Sequence, residues 1–262
     1  MANNFSNDRT GTGTREWSEY SMNIGLGCRN KCRYCYATIH ALRYKRIANR
    51  DEWENETVRD NAFPNGMGKR VGVIMFPTIH DITPTYLEKS IDVLVKTLKN
   101  ANNVLIVSKP RIDCIAPLLI ALEPFKEQVL FRFTIGTLDN ELSKFWEPGA
   151  PLPNERIECL KLTYESGFKT SVSMEPMLSG KEDAIKTFEA VEPYVTDKIW
   201  LGKMNKINQR VLMDDESVAV AVQKIKDLQS DSEVATLYNA LKDNPKAEWK
   251  DSVKQVVGIV PA

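Results

Sequence analysis

The sequence carries no net charge: Lys and Arg together number 35, as do Asp and Glu. That balance excludes a global basic field able to hold nucleic acid or an anionic membrane non-specifically, so any such binding has to be local. Long apolar runs are missing too. None approaches the roughly eighteen residues of a membrane span, and residues 1–14 hold no apolar core of a secretory signal. The expectation is a cytoplasmic protein with no membrane partner. Internal repeats and low-complexity tracts are absent as well. The five cysteines are an odd number for a secreted disulfide framework. Three of them fall at 28, 32 and 35, a clustering that in a reducing compartment points to a metal or redox site.

What remains is an ordinary globular composition, 42% hydrophobic and 27% charged over 262 residues, enough for one barrel-sized domain. Short β-rich runs predict buried strands at residues 20–25, 71–76, 103–108, 129–134, 169–174 and 198–204. Helical patterns fall between them at 33–48, 85–98, 114–122, 154–166 and 181–191. In the second of these, Leu87, Ile91, Leu94, Val95 and Leu98 keep the three-four spacing of one apolar face. Six βα units without a long linker predict a single α/β domain, a partial (β/α)6 TIM-like barrel, over residues 19–210. An open doubly wound sheet is the alternative. Residues 1–18 read as a polar N-terminal segment and 211–262 as a C-terminal helical extension packed on the barrel, ending at 253–260 in a final strand or packing segment.

Charge distribution says more than net charge. From Tyr20 to Arg50 there is no Asp or Glu, while Arg29, Lys31, Arg33, Arg43, Lys45, Arg46 and Arg50 are all positive. Such a segment favours an anionic cluster and anionic ligands, although Arg43 to Arg50 also reads as a solvated helix face. Within it, Cys28, Cys32 and Cys35 follow the first strand, on a βα loop at the end of the barrel that carries active sites. Thiolates with gaps of three and two residues can ligate three irons of a 4Fe-4S cluster and leave the fourth iron open. A tetrahedral zinc site of the same cysteines with His40 is the competing metal reading, and would make the chain a non-enzymatic, zinc-stabilised nucleic-acid-binding module.

The CxxxCxxC spacing, with Tyr34 just before the last cysteine, resembles the radical S-adenosylmethionine (radical SAM) superfamily. Further on, Phe133–Asp139, the run Trp146-Glu147-Pro148-Gly149-Ala150-Pro151, Glu155-Arg156 and Glu175-Pro176 resemble its spore photoproduct lyase and DNA repair photolyase-like branch. The resemblance implies a radical SAM barrel that binds a 4Fe-4S cluster and S-adenosylmethionine. Reductive cleavage would give a 5′-deoxyadenosyl radical that abstracts hydrogen from a nucleobase, nucleotide or nucleic acid, or alternatively from a peptide or small metabolite. An electron donor such as flavodoxin or ferredoxin is implied with it. Carried over residue by residue, Cys28, Cys32 and Cys35 would hold the cluster, and Lys109 would contact the methionyl carboxylate. Thr78 and Thr134 would lie near the methionyl and ribose groups, and Tyr34 near adenine.

Where spore photoproduct lyase carries a hydrogen-donating cysteine, the loop Phe76–Asp81 here has none. Cys114 and Cys159 fall in predicted helices, as small buried side chains would. His80, Asp81 and Glu175 are the candidate catalytic groups and Lys203 and Asn205 the candidate substrate ligands, all at strand ends facing the barrel mouth. Glu147 with Arg156 reads as a structural ion pair.

Overall fold

The computed structural model describes Phe5 and residues 11–259. Its strands are β1 (Tyr20–Ser21), β2 (Gly25–Leu26), β3 (Thr57–Val58), β4 (Val73–Phe76), β5 (Asn103–Ser108), β6 (Val129–Thr134), β7 (Lys169–Met174), β8 (Ile199–Leu201) and β9 (Ala247–Trp249). The helices are α1 (Tyr36–Arg43), α2 (Leu87–Lys99), α3 (Ile112–Leu122), α4 (Asn140–Trp146), α5 (Pro153–Glu165), α6 (Lys181–Val191), α7 (Ile207–Arg210), α8 (Glu216–Leu228), α9 (Asp231–Leu241) and α10 (Asp251–Val257). Seven strands form the main sheet in the order β1-β4-β5-β6-β7-β8-β9. Every neighbouring pair is parallel. Because that order never reverses, there is no switch point, and the doubly wound alternative falls.

The period-two alternation of the strands separates two cores. Ile74, Phe76, Val104, Ile106, Phe131, Phe133 and Val172 face the helices. Their neighbours Val73, Met75, Leu105 and Leu130, with Trp200, turn inward and pack on Trp17 and Phe5. Arg132 is buried in this inner layer, its guanidinium 4.9 Å from the Trp17 ring centroid and 5.1 Å from that of Trp200. It donates to Ser171 Oγ at 2.9 Å and pairs with Asp197 at 3.3 Å. An arginine is tolerated there because ring faces and acceptors replace its water.

Three expectations are corrected. The strand predicted over 20–25 breaks after Ser21, since the Asn23 side chain turns away to bond the backbone of Thr78 and Ile79. Gly25 and Leu26 pair antiparallel with Val58 and Thr57 in a separate ribbon. The helix predicted from 33 begins only at Tyr36, because the backbone of Cys35 is extended at φ −65°, ψ 116°, and so stands as its N-cap. The C-terminal extension is not purely helical: β9 adds a seventh strand beside β8, so the six-strand count is one short. After it, residues 251–257 form α10 rather than a strand, stopped by Gly258 at φ 73°, while Val260 lies outside the described residues, as does half of the polar segment 1–18.

Trp17 and Glu16 bring the start of the chain against its last strand. Lys250, directly after β9, donates to Gly13 O at 2.9 Å and pairs with Glu16 at 2.8 Å and Glu175 at 3.3 Å. Its ammonium lies 4.1 Å from the Trp17 ring centroid. No helix among the described residues is long and apolar enough to cross a membrane.

Candidate active site

At the C-terminal ends of the parallel strands lies a cavity of about 630 Å³. Cys28, Cys32, Cys35, Tyr34, Thr78, His80, Asp81, Lys109, Thr134, Glu175, Lys203 and Asn205 all line it. Its apolar wall includes Trp17, Met75, Ile79, Val107 and Met204. These groups come together because a parallel barrel collects its strand-to-helix loops at one end.

The cysteine loop spans the interval between β2 and α1, and all its thiols are free. Burial pushes the Cys28 thiol up, and pushes Cys32 up to about 12. Among the described residues no three His, Cys, Asp or Glu side chains converge on a point that would hold one ion. His40 lines the same cavity and sits between rings, 6.1 Å from Tyr36 and 6.2 Å from Tyr44 between centroids. A cluster offers a separate iron to each thiolate and needs no such convergence. Three free thiols on one cavity, beside the Lys109 ammonium, fit an anionic iron–sulfur group.

Lys109 follows β5 and is 11% exposed in its side chain, with Nζ 4.0 Å from Asp81 and 3.8 Å from Glu147. Burial pushes its ammonium down, but Cys32, Tyr34, Asp81 and Glu147 outweigh that and hold its pKa above the ordinary lysine value. Both distances are long for an N⁺–H···O⁻ bond, so the carboxylates hold its charge without consuming its donors. An incoming carboxylate can take them.

Two candidate catalytic groups line the cavity with their polar atoms engaged by neighbouring loops. The His80 ring is buried against Tyr86, 4.3 Å between centroids, with Nδ1 3.0 Å from Asp81 O and Nε2 accepting from Ile24 N–H at 3.4 Å. With both nitrogens engaged and burial pushing its pKa down, it is a poor proton carrier. The Asp81 carboxylate accepts from Asn30 Nδ2 at 2.7 Å, Lys109 N at 2.8 Å and Ser108 Oγ at 3.1 Å. Although burial opposes it, the Lys109 charge and these donors hold Asp81 below the ordinary carboxylate range. Glu175 differs: burial raises its pKa, Lys250 partly offsets that, and its carboxylate faces the cavity.

The remaining predicted residues divide in the same way. Thr78 Oγ1 accepts from Asn23 Nδ2 at 2.7 Å, and its carbonyl accepts from the Tyr36 hydroxyl. Thr134 is 8% exposed on the cavity wall, next to Ser173 across the ladder. Lys203 pairs with Asp231 at 3.0 Å on the rim, where Asn205 is exposed. Cys114 and Cys159 are buried in α3 and α5, with burial pushing both thiols up to about 12, as structural cysteines.

Glu147 was read as half of an ion pair and is more than that. Its wholly buried carboxylate pairs with Arg156, accepts from the Tyr34 hydroxyl and faces Lys109. Trp17, Tyr36, Ser173 and Arg210 also line the cavity and were missed. Only Tyr36 gave a sequence signal, its position beside Cys35. Of the basic stretch, Arg43, Lys45 and Arg46 are exposed, whereas Arg50 turns inward to the carbonyls of Arg210 and Arg33 at 2.8 and 2.7 Å.

No family model matches the chain. Among curated proteins it is similar to the uncharacterized protein ORF301 of Acidianus two-tailed virus, 24% identical, covering 91% of this chain and 85% of that one. A second is the uncharacterized protein MJ0683 of Methanocaldococcus jannaschii, 24% identical, covering 68% and 67%. Among solved structures, spore photoproduct lyase complexed with dinucleoside spore photoproduct superposes with a TM-score of 0.57 at 14% identity, covering 88% of this chain and 76% of that one. Streptococcus suis SuiB bound to S-adenosylmethionine superposes at 0.54 and 13%, with 88% of this chain covering 50% of SuiB. Both are radical SAM enzymes. The chain has the fold that spore photoproduct lyase and SuiB share.

Proposed function

We propose that this protein is a radical SAM enzyme that holds a 4Fe-4S cluster on Cys28, Cys32 and Cys35 and abstracts hydrogen from a nucleobase, nucleotide or nucleic acid. The observation that carries the reading is the meeting of three free thiols and the half-engaged Lys109 ammonium on one cavity at the strand ends. When bound there, cluster and S-adenosylmethionine supply a 5′-deoxyadenosyl radical, given an electron from a donor such as flavodoxin or ferredoxin.

The chain's own residues have narrower tasks. Lys109 holds the methionyl carboxylate, Tyr34 bounds the adenine side, and Thr78 and Thr134 offer hydroxyls to the methionyl and ribose groups. Trp17, Met75, Val107 and Met204 keep water from the reacting carbon. Glu175 is the carboxylate left to read a donor on the substrate, with Asn205 and Lys203 at the rim. Support for a nucleic-acid component comes from spore photoproduct lyase, whose complex holds a dinucleoside photoproduct. A peptide is the second reading, because SuiB shares the fold and has been captured with its precursor peptide. Among the described residues, the cysteines lining the cavity are the three of the loop. Thymine-dimer cleavage with a separate hydrogen-returning thiol is therefore not the reaction we propose.

Anaerobic reconstitution with iron and sulfide, followed by metal and sulfide analysis, tests the reading. A brown protein that releases 5′-deoxyadenosine and methionine from S-adenosylmethionine under a strong reductant is the expected result. Stoichiometric zinc with no iron uptake would overturn it.

A further inference from the structure

Asn30 sits in the interval between Cys28 and Cys32, in a loop, yet it is 0% exposed. A buried amide in a loop needs partners for both ends of its side chain. Asn30 Nδ2 donates to Asp81 at 2.7 Å, its Oδ1 accepts from Arg111 Nη2 at 2.8 Å, and its main-chain oxygen accepts from Gly149 N at 3.1 Å. Arg111 also donates to Gly149 O, and Asp81 is itself fixed by Lys109 N and Ser108 Oγ. Five segments meet at this one side chain: the cysteine loop, the loop after β4, the end of β5, the start of α3 and the turn after α4. The turn presses close, for a Cβ on Gly149 would stand 2.0 Å from Arg29 O.

We infer that Asn30 is a positioning residue for cluster assembly. Anchored by Asp81 and Arg111, it holds the interval between Cys28 and Cys32 in its ligating shape before iron arrives. A free loop would lose its conformational freedom on taking up the cluster, whereas this one has already lost it in folding. The inference rests on the cluster reading above and adds to it residues that ligate nothing.

The geometry allows a role-exchange test. Asn30→Asp sets two carboxylates face to face. Asp81→Asn leaves two amides that cannot both satisfy their neighbours. The double variant Asn30→Asp/Asp81→Asn restores the pairs with Arg111, Ser108 and the Lys109 N–H and reverses the roles between 30 and 81 at unchanged net charge, giving up only the long Asp81 contacts to Cys28 Sγ at 3.9 Å and Lys109 Nζ at 4.0 Å. The readouts are iron and sulfide per chain after anaerobic reconstitution, the rate at which a ferrous chelator strips the reduced protein, and the electron paramagnetic resonance spectrum of the reduced cluster.

Each single variant should lose cluster about tenfold faster than the wild type, as expected for a lost hydrogen bond to a charged group. The double variant should return to within about twofold. Single variants that keep the wild-type stripping rate, or a double variant that regains thermal stability but not cluster retention, would overturn the inference. If neither single variant folds by circular dichroism, Arg111→Met carries the test, since it removes the outer donor without opposing like charges. A wild type that takes up no iron would instead sink the cluster reading on which the inference rests.

Discussion

Replacing Lys109 with Met should cost the protein its grip on S-adenosylmethionine while leaving the fold almost untouched. The structure separates the two effects. Glu147 keeps Arg156 and the Tyr34 hydroxyl when Lys109 goes, and Asp81 keeps Asn30, Ser108 and the Lys109 backbone N–H. Asp81 loses its charge partner but keeps three donors, and Glu147 keeps a cation, so neither carboxylate is left without partners. Methionine preserves the length of the aliphatic stem and its packing beside Tyr34, whose ring centroid lies 5.7 Å from the ammonium. What is lost is the ammonium's capacity for a charge-assisted bond to the methionyl carboxylate. Such a bond contributes about 1.5–3 kcal/mol, or roughly a tenfold to hundredfold change in affinity. Equilibrium dialysis of cluster-loaded wild type and Lys109→Met against labelled S-adenosylmethionine measures it, with urea unfolding of the apo proteins as the control. Equal dissociation constants would remove Lys109 from the site. A large loss of apo stability would refute the claim that its partners are otherwise satisfied.

Arg132→Met should destabilise the apo protein by about 3 kcal/mol, because Asp197 loses its buried partner inside the barrel; urea unfolding reads this directly. His80 has its pKa held below the usual 6.5 by burial. The unfolded chain therefore takes up the proton first as pH falls, and stability present above pH 6.5 is lost as pH drops through the folded value. His80→Gln should flatten that limb, and unfolding curves at pH 7.5 and pH 5 compare the two; parallel losses in both proteins would exclude His80 as the cause. If the substrate is nucleic acid, the triple variant Arg43→Gln, Lys45→Gln, Arg46→Gln should lower the slope of log affinity against log salt by up to about 3, while Arg50→Gln, whose guanidinium is turned inward, should change it less.

Much of this site is written locally in the chain. Cys28, Cys32 and Cys35 carry their spacing with them, and Lys109 follows a strand whose apolar run is unmistakable. The sheet order follows from successive βα units. Harder to read was anything whose meaning depends on a distant partner. Ala247–Trp249 is three residues between polar flanks, and becomes a strand because β8 offers it an edge. Helix α4 was overlooked although Asp139 caps it by accepting from Glu141 N and Leu142 N. His80 and Asp81 looked catalytic from their place at a strand end. Only their surroundings, Tyr86 and the Ile24 backbone for one and Asn30 for the other, reveal the contacts through which each holds a loop. Lys250 gives no signal in the sequence, because Glu16 and Trp17, which surround its ammonium, lie far away in the chain.

That lysine also imposes an order of events on synthesis. The cysteine loop leaves the ribosome early, but the partner that ties Gly13, Glu16 and Glu175 together follows it much later in the chain. Until Lys250 arrives, the Thr12–Trp17 stretch has no anchor on the far strand and the thiols face a half-built chamber. Iron delivered to a nascent chain would meet cysteines open to solvent and to oxygen. If the thiols hold the proposed cluster, a chain stalled before residue 250 should take up iron but fail to keep it.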